Sequence, residues 1–260
     1  MSERIKAFLI HLGISLVILA GLLYVIVFIW YPPPYFAADG GWQGIQIIAG
    51  VDIVLGPLLT LAVYNPGKGM DRLRRDLITI GVIQISALLA GVWVVEGQRT
   101  RMVVYANNRF VSLSEAQIRE SGVTAETMKA LSTQNPPLAY VALPDDPVER
   151  GKLVMANMGG KLLFKRGDLY QPLTTENRLK IAAEGFDLDD VATAVPNRAT
   201  TIKKFLDGID RPSSELSALP LYCRYDVLTL VMDRITGEIL DTVNIAHEEL
   251  IASLTVRPGS

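Results

Sequence analysis

The chain has 260 residues, of which 50% are hydrophobic and 20% charged, with a formal net charge of −2. That balance excludes the basic footprint of a nucleic-acid binder, and a single cysteine, Cys223, excludes an internal disulfide or a cysteine-built zinc site. The apolar residues crowd into the first third of the chain, so membrane spans are the first expectation.

The first apolar run covers residues 7–31, AFLIHLGISLVILAGLLYVIVFIWY. It exceeds the roughly 20 residues that cross a bilayer. It also exceeds the apolar stretch of about 7–15 residues in a cleaved leader, so it reads as an uncleaved anchor. Trp30 and Tyr31 suit the headgroup level, and Pro32, Pro33 and Pro34 stop the helix. A second run covers residues 44–64 and a third residues 77–95. Asn65-Pro66-Gly67 supplies turn chemistry between them.

Positive charge sets the expected orientation. Arg4 and Lys6 precede the first span, and Lys68, Arg72, Arg74 and Arg75 lie between the second and third. The loop over residues 32–43 holds only Asp39. Short basic loops stay in the cytoplasm, so the N-terminus is expected inside and residues 99–260 outside, in the periplasm of a Gram-negative cell. Membrane lipid is therefore one expected partner.

Polar residues inside the spans carry the functional question. Asp52, Gly56 and Thr60 are spaced four apart and form one stripe, and a mid-span carboxylate costs about 2.5–3.5 kcal/mol on insertion scales. Pro57 removes the N–H that would bond the Ile53 carbonyl, which predicts a kink. Gln84 lies at a comparable depth in the third span, sharing a face with Gly81 and Gly91. One reading has Asp52 and Gln84 bonding each other and fixing the helical packing. A second turns Asp52, Gly56, Thr60 and Gln84 toward a partner helix, because small residues permit close approach. A third is an ion or proton path. His11, on one face with Ser15 near the start of the first span, reads as an interfacial histidine in reach of headgroup water. With His247 the only other histidine, no metal site is expected.

The remaining stretch reads as an α+β extracytoplasmic domain with an antiparallel sheet. Strands are predicted over residues 102–105 and 109–112 around Asn107-Asn108. Helices are predicted over residues 115–120, over 125–131 with Thr124 as N-cap, and over 176–184, 188–195 and 200–206. Residues 152–158 and 161–164 flank Gly159-Gly160 and read as a hairpin. A second hairpin, residues 222–233 and 238–245, surrounds Arg234-Ile235-Thr236-Gly237. Cys223 falls at its start and reads as a small buried hydrophobe. Asp145-Asp146, Asp187-Asp189-Asp190 and Glu248-Glu249 read as solvated surface or helix first turns. Neither a GxSxG, HExxH, P-loop nor GxGxxG pattern occurs, so no enzyme, catalytic residue or cofactor is expected.

The order RIKAFLIHLGIS, WYPPPYF, GVDIVLGPLLTL, a short basic loop and DLITIGVIQISALLAG resembles the TfpX/TfpZ family of type IV pilin accessory proteins. The most specific block runs from Gly50 to Leu61. VVYANNRFVSL resembles the start of that family's extracytoplasmic domain, and the likeness covers about the first 115 residues. The resemblance implies an inner-membrane, chaperone-like factor for a major type IV pilin. It adds a pilin helix as the candidate partner for the stripe of Asp52, Gly56 and Thr60. A membrane-anchored periplasmic sensor is the alternative.

Overall fold

The computed structural model describes residues 2–209, 211–243 and 245. The chain divides between Arg99 and Thr100 into two units. In the first, three helices are long and apolar enough to cross a membrane: Glu3–Trp30, Gly41–Val63 and Met70–Gln98. At about 1.5 Å per residue each can traverse a hydrocarbon layer about 30 Å thick.

The first span is α1 (Glu3–Val25), closed by a π-helical turn, Ile26–Trp30. The short α2 (Tyr35–Ala38) follows the prolines. The second span joins α3 (Gly41–Ala49), a π-helical segment (Gly50–Leu55) and α4 (Gly56–Val63). The irregularity falls just ahead of Pro57, whose missing N–H leaves the regular ladder incomplete there. The third span, α5 (Met70–Gln98), starts seven residues before the apolar run. Its first turns carry Arg72, Arg74 and Arg75, whose long stems let charge reach water from a helix end.

Leu19, Ile26, Tyr31, Ile48 and Val95 form the apolar centre of this unit. Tyr31, at the end of the first span, is turned into the protein. Its ring is buried and its hydroxyl donates to the Val95 carbonyl at 2.7 Å, fastening the end of the first span to α5. Val17, Phe28, Val82, Leu89 and Trp93 point outward and are exposed.

The second unit is a mixed sheet with helices. Its strands are β1 (Met102–Ala106), β2 (Arg109–Leu113), β3 (Leu138–Val141), β4 (Tyr170–Pro172), β5 (Leu216–Tyr222), β6 (Val227–Asp233) and β7 (Ile239–Val243). They lie in the order β4-β3-β1-β2-β5-β6-β7. Four pairings are antiparallel, and β1–β3 and β2–β5 are parallel. Asn107 and Asn108 both take positive φ, 57° and 59°, which closes the β1–β2 hairpin. The helices are α6 (Glu115–Ser121), α7 (Ala125–Leu131), α8 (Pro147–Met158), α9 (Thr175–Glu184), α10 (Leu188–Ala194) and α11 (Ala199–Leu206). One core gathers β1, β2 and β3 residues with Ile118 and Leu163, and another packs Leu188, Val191 and Ile202 on β5, β6 and β7.

Two sequence expectations change in this unit. The hairpin around Gly159-Gly160 is instead α8 and its terminus. Asp146 caps it by accepting from the Val148 N–H at 3.2 Å, Pro147 opens it, and Gly160 leaves it at φ 92°. Residues 163–165 form a 3₁₀ turn. Cys223 is half-buried and outside any disulfide, in the turn after β5 and beyond the strand register that would have enclosed it. His247 and Glu248-Glu249 lie outside the described residues.

Candidate functional site

Five polar side chains from all three spans meet inside the first unit. α1 supplies His11 and Ser15, four residues apart and so on one helix face. The π-helical segment supplies Asp52, α4 supplies Thr60, and α5 supplies Gln84. Asp52, Ser15 and Thr60 are 0%, 1% and 2% exposed, so this is an interior network and not a free surface.

Gln84 is its hub. Its Nε2 donates to Asp52 Oδ1 at 2.5 Å and to Ser15 Oγ at 3.3 Å. Ser15 Oγ donates to Asp52 Oδ1 at 3.1 Å. Gln84 Oε1 can only accept, so His11 Nε2, 2.7 Å away, carries a hydrogen and donates to it. In a neutral imidazole Nδ1 then accepts from the Thr60 hydroxyl at 2.6 Å. The donors run in one sense, from Thr60 through His11 and Gln84 to the carboxylate of Asp52. Asp52 Oδ2 is buried and has no hydrogen-bond partner among the described residues.

Gly56 makes this geometry possible. A side chain there would collide with the Gln84 amide, so glycine is the residue that lets the Gln84 side chain lie across α4 toward Asp52. Gly91 packs ordinarily against Ile48, and Gly81 faces open space.

The four residues singled out from sequence, Asp52, Gly56, Thr60 and Gln84, are therefore brought together, but turned inward. The stripe read as a docking face is covered by the chain's own α1, because Ser15 and His11 satisfy it. His11 also changes place: both its ring nitrogens are engaged inside the bundle. Its spacing from Ser15 was the available signal. Two polar residues four apart on an otherwise apolar span, at the depth of Thr60 and Gln84, mark a helix face turned to protein.

The second unit holds a separate polar cavity of about 320 Å³ at the end of the β1–β2 hairpin, between β3 and α9. Tyr105, Tyr140, Arg150, Lys180 and Glu184 line it. The Tyr105 hydroxyl donates to Glu184 Oε2 at 3.0 Å. Burial, then the nearby Glu184 carboxylate, push the phenol's pKa well above its ordinary value. The acidic runs elsewhere act as caps: Asp187 accepts from the Asp189 N–H at 2.9 Å at the start of α10. Among the described residues no three His, Cys, Asp or Glu side chains gather as metal ligands.

Residues 1–40, which contain α1 and the proline loop, match the family described as Fimbrial assembly protein FimB. Three curated relatives from Dichelobacter nodosus align over 109 residues, or 42% of this chain. The fimbrial assembly protein of serogroup I is 36% identical and that of serogroup E1 34%, each with 42% of its own length covered. That of serogroups C1 and C2 is 35% identical with 83% covered. The chain thus spans less than half the length of two of the relatives it matches. No solved structure matches it. With most of one relative's length matched at this identity, the chain belongs to the fimbrial assembly protein family.

Proposed function

We propose that the chain is an inner-membrane accessory factor that binds a cognate major type IV pilin and stabilises it before or during assembly, as the resemblance to TfpX/TfpZ proteins implies. The observation that carries this is the 35% identity over 83% of a fimbrial assembly protein. The role is binding, not catalysis. The N-terminus is cytoplasmic and the second unit periplasmic, in keeping with the basic residues that flank the first span and fill the loop before α5.

The interior network supports a particular division of labour. Asp52, Gly56, Thr60 and Gln84 hold the three helices in one arrangement, and the pilin contact falls on outward, apolar side chains such as Val17 and Leu89. A pilin waiting in the membrane presents a single apolar helix, and packing in lipid rests on shape and van der Waals contact. A binder of the folded, inserted subunit raises its apparent stability by mass action.

Deletion of the gene is expected to lower the steady-state level of the pilin. Photo-crosslinkers at Val17 and Leu89 are expected to capture it, and one at Thr60 is not. Unchanged pilin with no crosslink from any outward position would sink the proposal. A sensor is the second reading, favoured by the cavity between Tyr105 and Glu184. It predicts normal pilin levels after deletion.

A further inference from the structure

We propose that the notch between α1 and α4 holds an anionic phospholipid of the surrounding bilayer, with its phosphate at Lys6 and one acyl chain along Ile10 and Ile14. A cavity of about 500 Å³ opens here, reaching from Glu3 to Ile14 along α1 and bounded by Thr60, Tyr64 and Leu77. Its size lies within the roughly 300–1,000 Å³ of sites that hold small ligands.

The notch is graded in chemistry. Lys6, Ile10 and Ile14 recur every four residues and so line one face of α1. From Lys6 to Ile14 the helix advances about 12 Å, so a charged mouth passes into an apolar wall. His11 and Thr60 form its polar floor, already engaged with each other. This is the order of groups in a phospholipid lying beside a helix: phosphate, then polar linkage, then hydrocarbon.

Charge selects the anionic class. Residues 2–6 and 65–76 lie at this same end of the spans and carry six cationic against three anionic side chains. The partner of Lys6 is Glu3 at 2.7 Å, with both side chains more than half exposed. Such a pair is weak, so Lys6 can exchange Glu3 for a phosphate without stranding a buried charge. Basic pockets between spans at one membrane face are suited to anionic headgroups. A second protein helix fits less well, since a cylinder about 10–12 Å across takes up more than the notch's roughly 500 Å³ over the length of its wall.

The test uses the full chain in nanodiscs of equal phosphatidylglycerol and phosphatidylethanolamine, released intact into a mass spectrometer. A retained phosphatidylglycerol is expected, favoured over phosphatidylethanolamine by about fivefold, the effect of one lysine near a charged surface. Ile14→Trp, which fills the notch, should abolish retention, and Lys6→Gln should keep a lipid but remove the preference. If Ile14→Trp does not purify, Ala7→Phe fills the same wall. Unselective lipid in the wild type, a preference that survives Lys6→Gln, or retention that survives filling overturns the proposal, as does a peptide in place of lipid.

Discussion

The two units solve burial in opposite ways. In the membrane unit many large apolar residues face outward, Val17, Phe28 and Trp93 among them, and the polar residues Ser15, Asp52 and Thr60 lie inside beside the small apolar centre. In the second unit the centre is Val104, Leu113, Leu188, Leu219 and Val231, and most charge lies outside. The difference follows from solvent. In water, apolar burial drives folding. In hydrocarbon it gives no net gain between helices, and what remains is close packing and hydrogen bonds between polar groups that lipid cannot satisfy. A given polar residue should therefore matter differently in each unit.

The sharpest contrast comes from a deeply buried carboxylate of the second unit. Asp233 is fully buried. It pairs with Arg211 and accepts from the Ile235 and Thr236 N–H groups at 2.6 and 2.8 Å. Next to it, Arg234 donates to the Leu216, Ala182 and Gly185 carbonyls, tying the β6–β7 turn to the end of α9. Asp233→Ala is expected to destabilise the second unit by about 3–5 kcal/mol, because it removes the acceptor of two N–H groups, each bond to a charged group being worth about 1.5–3 kcal/mol, together with the partner of the part-exposed Arg211. Loss of amide-exchange protection at β6 and β7 is the measurement. A change below about 1 kcal/mol, the worth of an exposed pair, would break the comparison.

Gly56→Leu comes next. The side chain would occupy the space of the Gln84 amide, and overpacking costs about 1–3 kcal/mol. The expected readout is easier dissociation of the spans in a detergent titration, with Gly81→Leu, which meets open space, as the silent control. Gln84→Met should cost less, about 0.6 and at most about 1.7 kcal/mol, because polar groups in an unfolded membrane chain find other partners. An effect as large as that of Asp233→Ala would mean that the network is stabilised as strongly as a buried pair in water.

Legibility from sequence follows the same division. The spans could be read because apolar length is a crude, unambiguous constraint. The meeting of Asp52 with Gln84 followed from their depths, which differ by about 6 Å at about 1.5 Å per residue and so lie within side-chain reach. The inward turn of the stripe did not, since a helix with one polar face does not say whether its own chain or another covers it. In the second unit the helices that Thr124 and Thr174 cap were readable, while α8, capped by Asp146, was not, because Gly159-Gly160 reads as a turn. Nor was β5. Its Pro220 argues against a strand with neighbours on both sides, yet β5 lies between β2 and β6. Ala218 exchanges both backbone bonds with Phe186, so even-numbered residues direct their backbone groups away from β6. The N–H that Pro220 lacks would have pointed to that same side, and the β5–β6 ladder loses nothing. β3 and β4 were too short, at four and three residues, to show alternation.

The smallest expected effect concerns pH and belongs to the second unit alone. Tyr105 is 4% exposed, and burial together with the Glu184 carboxylate raises its pKa above the ordinary value near 10. The folded state therefore holds this proton more tightly than the unfolded chain. Its contribution is fully present below the unfolded pKa and is lost as pH rises from about 10 toward the folded value. Wild-type protein should lose stability above pH 10 more steeply than Tyr105→Phe, which has no proton to lose there. Tyr170, also raised by burial, keeps the variant's slope from reaching zero. Denaturant midpoints of both proteins, followed through the tryptophan-free second unit by its circular dichroism from pH 8 upward, give the comparison. Parallel slopes would mean that the phenol of Tyr105 ionises as readily in the fold as in the free chain, and that its bond to Glu184 does not hold the proton.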